Sequence, residues 1–279
     1  MPYIGPPMTG RYLDLLAGIH TRCRPRTYLE IGMRNGESLA LAIAETLVIG
    51  IDPLPTVWNK VNADAGLFFE TSDEFFDKRN VRALLQGLPI DLAFIDGMHL
   101  FEYALRDFRN IERNAGPDSV ILIHDCLPPG AEFATRDRQT ALWTGDTWKV
   151  ICCLSELRPD LEISTVAVKP SGLAVIRNLD PQSSALFDRY DEAIERFQSL
   201  SFDHIDGRQE DQLHLVMNDP EAIEGLIPGW PPLTDRESPA AKRYPRSWPV
   251  LRYQVMRGAH QGARRVQRAL SRSTDSPRT

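Results

Sequence analysis

Residues 26–52 read RTYLEIGMRNGESLALAIAETLVIGID, and this stretch decides the fold. Residues 26–32 form a short apolar run ending in glycine, which reads as a strand entering a tight turn. Residues 38–46 are apolar with small residues and predict a helix. Residues 47–52 form a second apolar run, ending on Asp52. Strand, glycine-bearing turn, helix and strand make one βαβ unit of a doubly wound, mostly parallel α/β sheet of the Rossmann-like kind, with helices on both faces.

The alternation continues outward. Residues 9–22 place Tyr12, Leu15, Leu16 and Ile19 at helical spacing, predicting a leading helix. Downstream, residues 68–71 read as a short strand and 73–80 as a helix. Residues 90–96 are a strong strand closing on Asp96, and 101–114 an amphipathic helix. Residues 119–125 are a further strand closing on Asp125. Residues 127–146 form a long loop, 148–157 a helix, 161–168 and 172–175 a closing strand pair, and 182–200 another helix. Prolines crowd residues 228–249, and a basic helix is expected over 253–270. The domain organisation expected is a lead-in over 1–25, a ligand-binding domain over 26–180, and a helical and irregular extension over 181–279.

Composition bounds the function. Of 279 residues, 42% are hydrophobic and 25% charged, the ordinary globular range. No apolar run approaches the roughly 20 residues that a membrane helix needs, and the first residues carry no signal-peptide pattern. Cys23, Cys126, Cys152 and Cys153 match no zinc spacing and read as reduced thiols, so a cytoplasmic protein is expected. From Arg236 onward eleven Lys and Arg face two acids, a local charge of +9 that leaves −15 on the rest of the chain. A basic tail suits nucleic acid in principle; docking on the acidic body or on a second subunit is the simpler expectation, making a homo-oligomer with the basic helix at its interface.

The chemistry concentrates at strand ends, where open α/β sheets bind their ligands. Gly32 and Gly36 permit a tight turn and close ligand approach. Their spacing is not the GxGxxG of dinucleotide binding, and Glu30 before them suits an ammonium better than a pyrophosphate. Asp52 stands where an acid holds a ribose diol. Asp96 and Asp125 are hard oxygen ligands of the type Mg²⁺ prefers, or else caps of the helices that follow them. His99 is suited to accept a proton near neutral pH, or else marks a helix start. Trp143 and Trp148, with Asp146 and Lys149 between and beside them, could wall a substrate. Asp107 is expected to pair with Arg106 or Arg109 on its own helix.

Taken together, E-I-G-x-x-x-G-x-S, I-D-P, F-I-D-G-x-H-x-x-x-x-x-x-x-D and I-x-H-D resemble the class I S-adenosylmethionine-dependent methyltransferases over residues 26–176. Within them the pattern is similar to the macrocin-type sugar O-methyltransferases and the cephalosporin-hydroxylase-like group. The resemblance implies that Glu30, Gly32, Gly36 and Ser38 line the methionine end of S-adenosylmethionine, Asp52 its ribose, and Ser72 and Asp73 its adenine. It implies a metal, Mg²⁺, at Asp96, Asp125 and His124, the last replacing an aspartate of some relatives, and His99 as general base. The acceptor implied is a small-molecule hydroxyl, on a sugar or glycosylated secondary metabolite. Two other functions compete: a nicotinamide-dependent oxidoreductase or epimerase, which lacks its GxGxxG and Tyr-x-x-x-Lys here, and a cofactor-binding scaffold without catalysis.

Overall fold

The computed structural model describes residues 7–57 and 59–227. Expectations for the proline-rich stretch and the basic helix therefore lie outside the described residues. Strands are β1 (Thr9–Arg11), β2 (Thr27–Ile31), β3 (Leu47–Ile51), β4 (Asp64–Phe68), β5 (Ile90–Ile95), β6 (Ala115–His124), β7 (Glu162–Val166), β8 (Val168–Lys169), β9 (Leu173–Arg177) and β10 (Leu215–Val216). Helices are α1 (Tyr12–Cys23), α2 (Ser72–Lys78), α3 (Val81–Leu84), α4 (Phe101–Glu112), α5 (Lys149–Leu157), α6 (Ala185–Asp188), α7 (Tyr190–Gln198), α8 (Gln209–Gln212) and α9 (Pro220–Leu226).

Eight strands form one sheet in the order β10-β7-β9-β6-β5-β2-β3-β4, while β1 and β8 make a separate parallel pair. All pairings in the large sheet are parallel except those of β9, which runs antiparallel between β6 and β7. Chain order reverses between β2 and β5, and at such a switch point the strand ends leave a crevice for ligand. Alternating residues face opposite layers. Leu29, Ile31, Ile49, Ala93, Ile95, Ile121 and Ile123 pack with α2 to α5 and α7. Tyr28, Val48, Leu92, Phe94, Val120 and Leu122 pack with α1 and the chain after Ser38. Burial on both faces explains why these strands read as unbroken apolar runs.

Three local expectations are corrected. The helix expected over 38–46 is only a single 3₁₀ turn, Leu39–Leu41, and Ala42 is already extended. Ser38 does not cap it, because the Ser38 hydroxyl is bonded to Glu30 instead; without a cap, so short a segment does not repay helix nucleation. The third strand lies at Asp64–Phe68, earlier than the 68–71 expected, and Thr71 then opens α2 with a capping box to Glu74. The single helix expected over 182–200 is broken at Arg189 into α6 and α7. Beyond residue 180 the chain still serves the same sheet: Ala193 and Phe197 of α7 join the core, and β10 extends the sheet past β7.

Arg158, at the end of α5, ties the layers together. Its buried guanidinium meets Glu112 of α4 at 2.7 Å and Asp160 at 2.7 Å. Glu112 in turn accepts the backbone N–H of Asp180 at 3.2 Å. Removing one partner strands a buried charge, so Arg158→Met should cost about 3–5 kcal/mol in urea unfolding, and adding Glu112→Leu should restore most of it. A single variant within about 1 kcal/mol of wild type would remove this pair from the list of structural ties.

Candidate active site

Four carboxylates reach the carboxyl edge of the sheet from four parallel strands. Glu30 lies in β2, Asp52 follows β3, Asp96 follows β5 and Asp125 follows β6. Glu30 is fully buried, and its two oxygens accept from Tyr28 Oη at 2.8 Å and Ser38 Oγ at 2.5 Å. Burial, together with the nearby Asp96 and Asp52, outweighs these bonds and pushes its carboxyl up to about 8. Asp52 accepts the backbone N–H groups of Arg34 and Leu54, each at 2.8 Å, which closes the loops after β2 and β3 over each other. Gly32 (φ +89°) lets the turn after β2 pass against the turn after β5: a Cβ there would collide with the Asp96 carbonyl group.

Asp96, His99, His124 and Asp125 form one cluster. His99 Nδ1 stands 2.6 Å from Asp125 Oδ2, and His99 Nε2 stands 3.6 Å from Asp96 Oδ1. His124 Nδ1 lies 3.1 Å from Asp96 Oδ1 and 3.5 Å from Asp125 Oδ1. Burial alone would lower both imidazoles, but the carboxylates prevail: His99 is held above its usual value and His124 rises to about 10. Asp125, although desolvation opposes ionisation, is held below the usual carboxylate range by His124 and His99. Ser171 Oγ donates to Asp125 Oδ1 from the turn before β9. His99 and Asp125 both sit in left-handed backbone (φ 58° and 60°), a conformation sparsely used by non-glycine residues and concentrated at functional sites.

Neither aspartate caps the helix after β5. That cap is Asp146, whose Oδ1 accepts the Phe101 N–H at 2.8 Å. Asp146 also pairs with Arg136 at 2.7 Å and Lys149 at 3.1 Å, and Lys149 Nζ donates to the Gln198 carbonyl at 2.7 Å. Trp148 is in the core. Of the four residues expected to wall a substrate, then, Trp143 alone faces the cluster, stacked on the His99 ring at 5.2 Å, while Asp146, Trp148 and Lys149 support it from behind. Ser72 and Asp73 begin α2: Ser72 bonds to Asp107, and Asp73 pairs with Arg106 at 3.0 Å. The pairing expected for Asp107 with Arg106 or Arg109 is thereby corrected, since its carboxyl is buried, bonded to Ser72 and pushed up to about 7.

Two contributors escaped the sequence reading. Ser171 left no signal, being an ordinary turn residue. Tyr12 was assigned to the apolar face of α1, yet its ring lies 4.1 Å from that of His124, and burial with Asp96, Glu30, Glu37 and Asp125 around it raises its hydroxyl well above the usual range. An aromatic at the first position of a helix just before a glycine-rich strand unit was the one available hint.

A family model described as a methyltransferase domain matches residues 29–126, from β2 through the residue after Asp125, and so contains Glu30, Asp52, Asp96, His99, His124 and Asp125. Residues 29–126 thus match a methyltransferase domain. No curated protein matches the chain. Solved structures similar to it include cofactor-bound Rv0187 from MTB, with 18% identity over 64% of this chain and 83% of that one, at a TM-score of 0.47. The O-methyltransferase TomG from Streptomyces achromogenes, solved with SAM, gives 15% identity over 61% and 80%, at 0.45. An O-methyltransferase from Bacillus cereus in complex with SAH gives 14% over 59% and 79%, at 0.40. The methyltransferase match displaces the nicotinamide-dependent alternative. No described helix is long and apolar enough to cross a membrane.

Glu30 in this methyltransferase domain supplies a pH test. Its proton stays on in the folded protein up to about pH 8, whereas an unfolded glutamate loses it near 4.5. The folded state therefore binds the extra proton between those values, and its stability is full below the lower one and falls as pH rises through the upper. Wild-type melting should drop more between pH 5 and pH 8.5 than that of Glu30→Gln, by at least about 5 °C. Parallel losses in the two proteins would refute the buried neutral carboxyl.

Proposed function

We propose that the chain is an S-adenosylmethionine-dependent O-methyltransferase acting on a hydroxyl of a small-molecule acceptor, with a sugar or glycosylated metabolite as the acceptor class. The observation that carries this is the Asp96, His99, His124 and Asp125 cluster, set near the switch point of the sheet within the segment that matches a methyltransferase domain.

The residues fit the cofactor. Glu30 is a buried carboxyl with hydroxyls and no cation bonded to it, so an ammonium finds an acceptor there. Asp52 would face the ribose, and Ser72 and Asp73 the adenine. The cofactor supplies a methyl group already activated on a sulfonium. What is left to the protein is orientation of the acceptor and removal of its proton. His99 is placed for the proton, with Asp125 at its Nδ1 fixing the ring and Trp143 stacked against it. A ring nitrogen of His99 would take the proton of the acceptor oxygen as an O–CH3 bond forms, the S–CH3 bond breaks and the thioether leaves.

A divalent cation also fits. One ligand atom from each of Asp96, His124 and Asp125 lies within 4.8 Å of the others. Bound there, Mg²⁺ or a similar ion would lower the acidity barrier of the acceptor hydroxyl. The two oxygens and one imidazole also suit softer ions such as Mn²⁺. The scaffold alternative is disfavoured by the strained backbone at His99 and Asp125, which a pure binding module does not require.

Calorimetry of the full chain should show S-adenosylmethionine and S-adenosylhomocysteine binding at micromolar levels and no NAD⁺ binding; the reverse would end this reading. His99→Gln should cut turnover by about 10²- to 10⁴-fold with cofactor affinity nearly unchanged. Full activity of the wild type in excess EDTA would leave the acceptor chemistry to His99 alone and strike out the metal.

A further inference from the structure

Tyr12 lies outside the matched methyltransferase segment, yet the fold places it at the centre of the site. It is the first residue of α1 and follows β1 directly. The strand β1 is held by β8, with the Thr9 N–H donating to the Ala167 carbonyl at 3.0 Å and Thr9 in register with Val168. Three residues past Val168 is Ser171, whose hydroxyl holds Asp125. One small ladder therefore fixes both the Tyr12 ring and the back of the cluster.

The ring packs on His124 at 4.1 Å and on Phe94 at 6.1 Å. Its hydroxyl has no hydrogen-bond partner among the described residues. Asp96, Glu30, Glu37 and Asp125 all act on it, and the His124 imidazole lies against its ring. Glu30 already accepts from Tyr28 and Ser38, and Glu37 faces Arg11 at 3.5 Å. A phenol offers one O–H donor, and burial with these acids keeps it neutral here.

We propose that Tyr12 contacts the cofactor, its hydroxyl donating to the carboxylate of the methionine portion while its ring holds His124 in place. The proposal rests on the cofactor reading above. The amino-acid end of S-adenosylmethionine carries an ammonium and a carboxylate on the same carbon. Glu30 offers the ammonium an acceptor and the Glu37 charge repels the carboxylate, so a neutral donor close by gives the carboxylate a partner. Tyr12 is such a donor, set between the acids of the glycine-rich turn and those of the cluster. No covalent step is involved.

The test is calorimetric titration of the full chain with S-adenosylhomocysteine and with 5′-methylthioadenosine, which keeps the adenosine and the thioether but has no amino-acid end. Tyr12→Phe keeps the ring and removes only the donor. It should weaken S-adenosylhomocysteine about 10- to 100-fold and leave 5′-methylthioadenosine within about twofold, since an absent carboxylate has nothing to lose. Tyr12→Leu should add a loss of turnover at saturating cofactor, because His124 is then released, and Tyr12→Phe should not. Unchanged S-adenosylhomocysteine binding in Tyr12→Phe overturns this proposal alone, and so does an equal loss for both ligands, which marks general loosening. Failure of the wild type to bind S-adenosylhomocysteine overturns the cofactor reading and this proposal with it.

Discussion

Asp146 has no exposure to solvent, and four groups, from the turn at 99–101, from Arg136 and from Lys149, meet on it. Its carboxylate receives the first N–H of α4, the Arg136 guanidinium and the Lys149 ammonium, while its own N–H donates to the His99 carbonyl at 3.1 Å. Gly145 beside it is obligatory, because a Cβ there would lie 1.7 Å from that same carbonyl oxygen. A buried carboxylate is tolerable only when its lone pairs are used, and here two cations and a backbone donor use them. The consequence is mechanical: the turn from Asp96 to Phe101 is gripped from outside, and His99 keeps its left-handed backbone without any bond to solvent-exposed structure.

That grip lets the opposite face of the turn stay acidic. Asp96 and Asp125 stand at adjacent strand ends and would repel each other if alone, and His99 and His124 sit between them. With Glu37 and Asp52 on the neighbouring loops, acids line the carboxyl edge of the sheet from the glycine-bearing turn to the cluster. Such a field suits a ligand bearing a sulfonium and an ammonium, and leaves the donors Tyr12 and His99 as the features that distinguish one part of the crevice from another.

The parallel half of the sheet was legible because its strands are buried on both faces and so spell themselves as apolar runs, each stopped by glycine or an acid. The same runs carried Asp52, Asp96 and Asp125 to the edge where ligands bind. Periodicity failed where side chains were committed elsewhere: Ser38 serves Glu30 and not a helix, and residues 42–46 lose their helix with it. It failed again around residues 143–149, where tryptophans and charges resemble a substrate wall but three of four side chains are interior supports. The contacts of Asp146 with Phe101 and of Lys149 with Gln198 join positions more than 40 residues apart, and spacing along a chain carries no trace of them. Tyr12 packs on the apolar side of α1 as its spacing predicts, but an amphipathic face shows that a residue is covered and not by what.

One topological detail bears on how the molecule comes into being. The strand β9 is made after β7 yet lies between β7 and β6, running against both. While the chain emerges from the ribosome, the β6 edge, with its Val120–Ile123 run, is complete but has no neighbour on one side until residue 177 has been made. An unpaired apolar edge is a template for pairing with another chain, and the pairing that quenches it joins residues about 50 positions apart, so it closes slowly. Because the turn leading into β9 also delivers Ser171 to Asp125, the step that ends the aggregation hazard is the same one that completes the cluster.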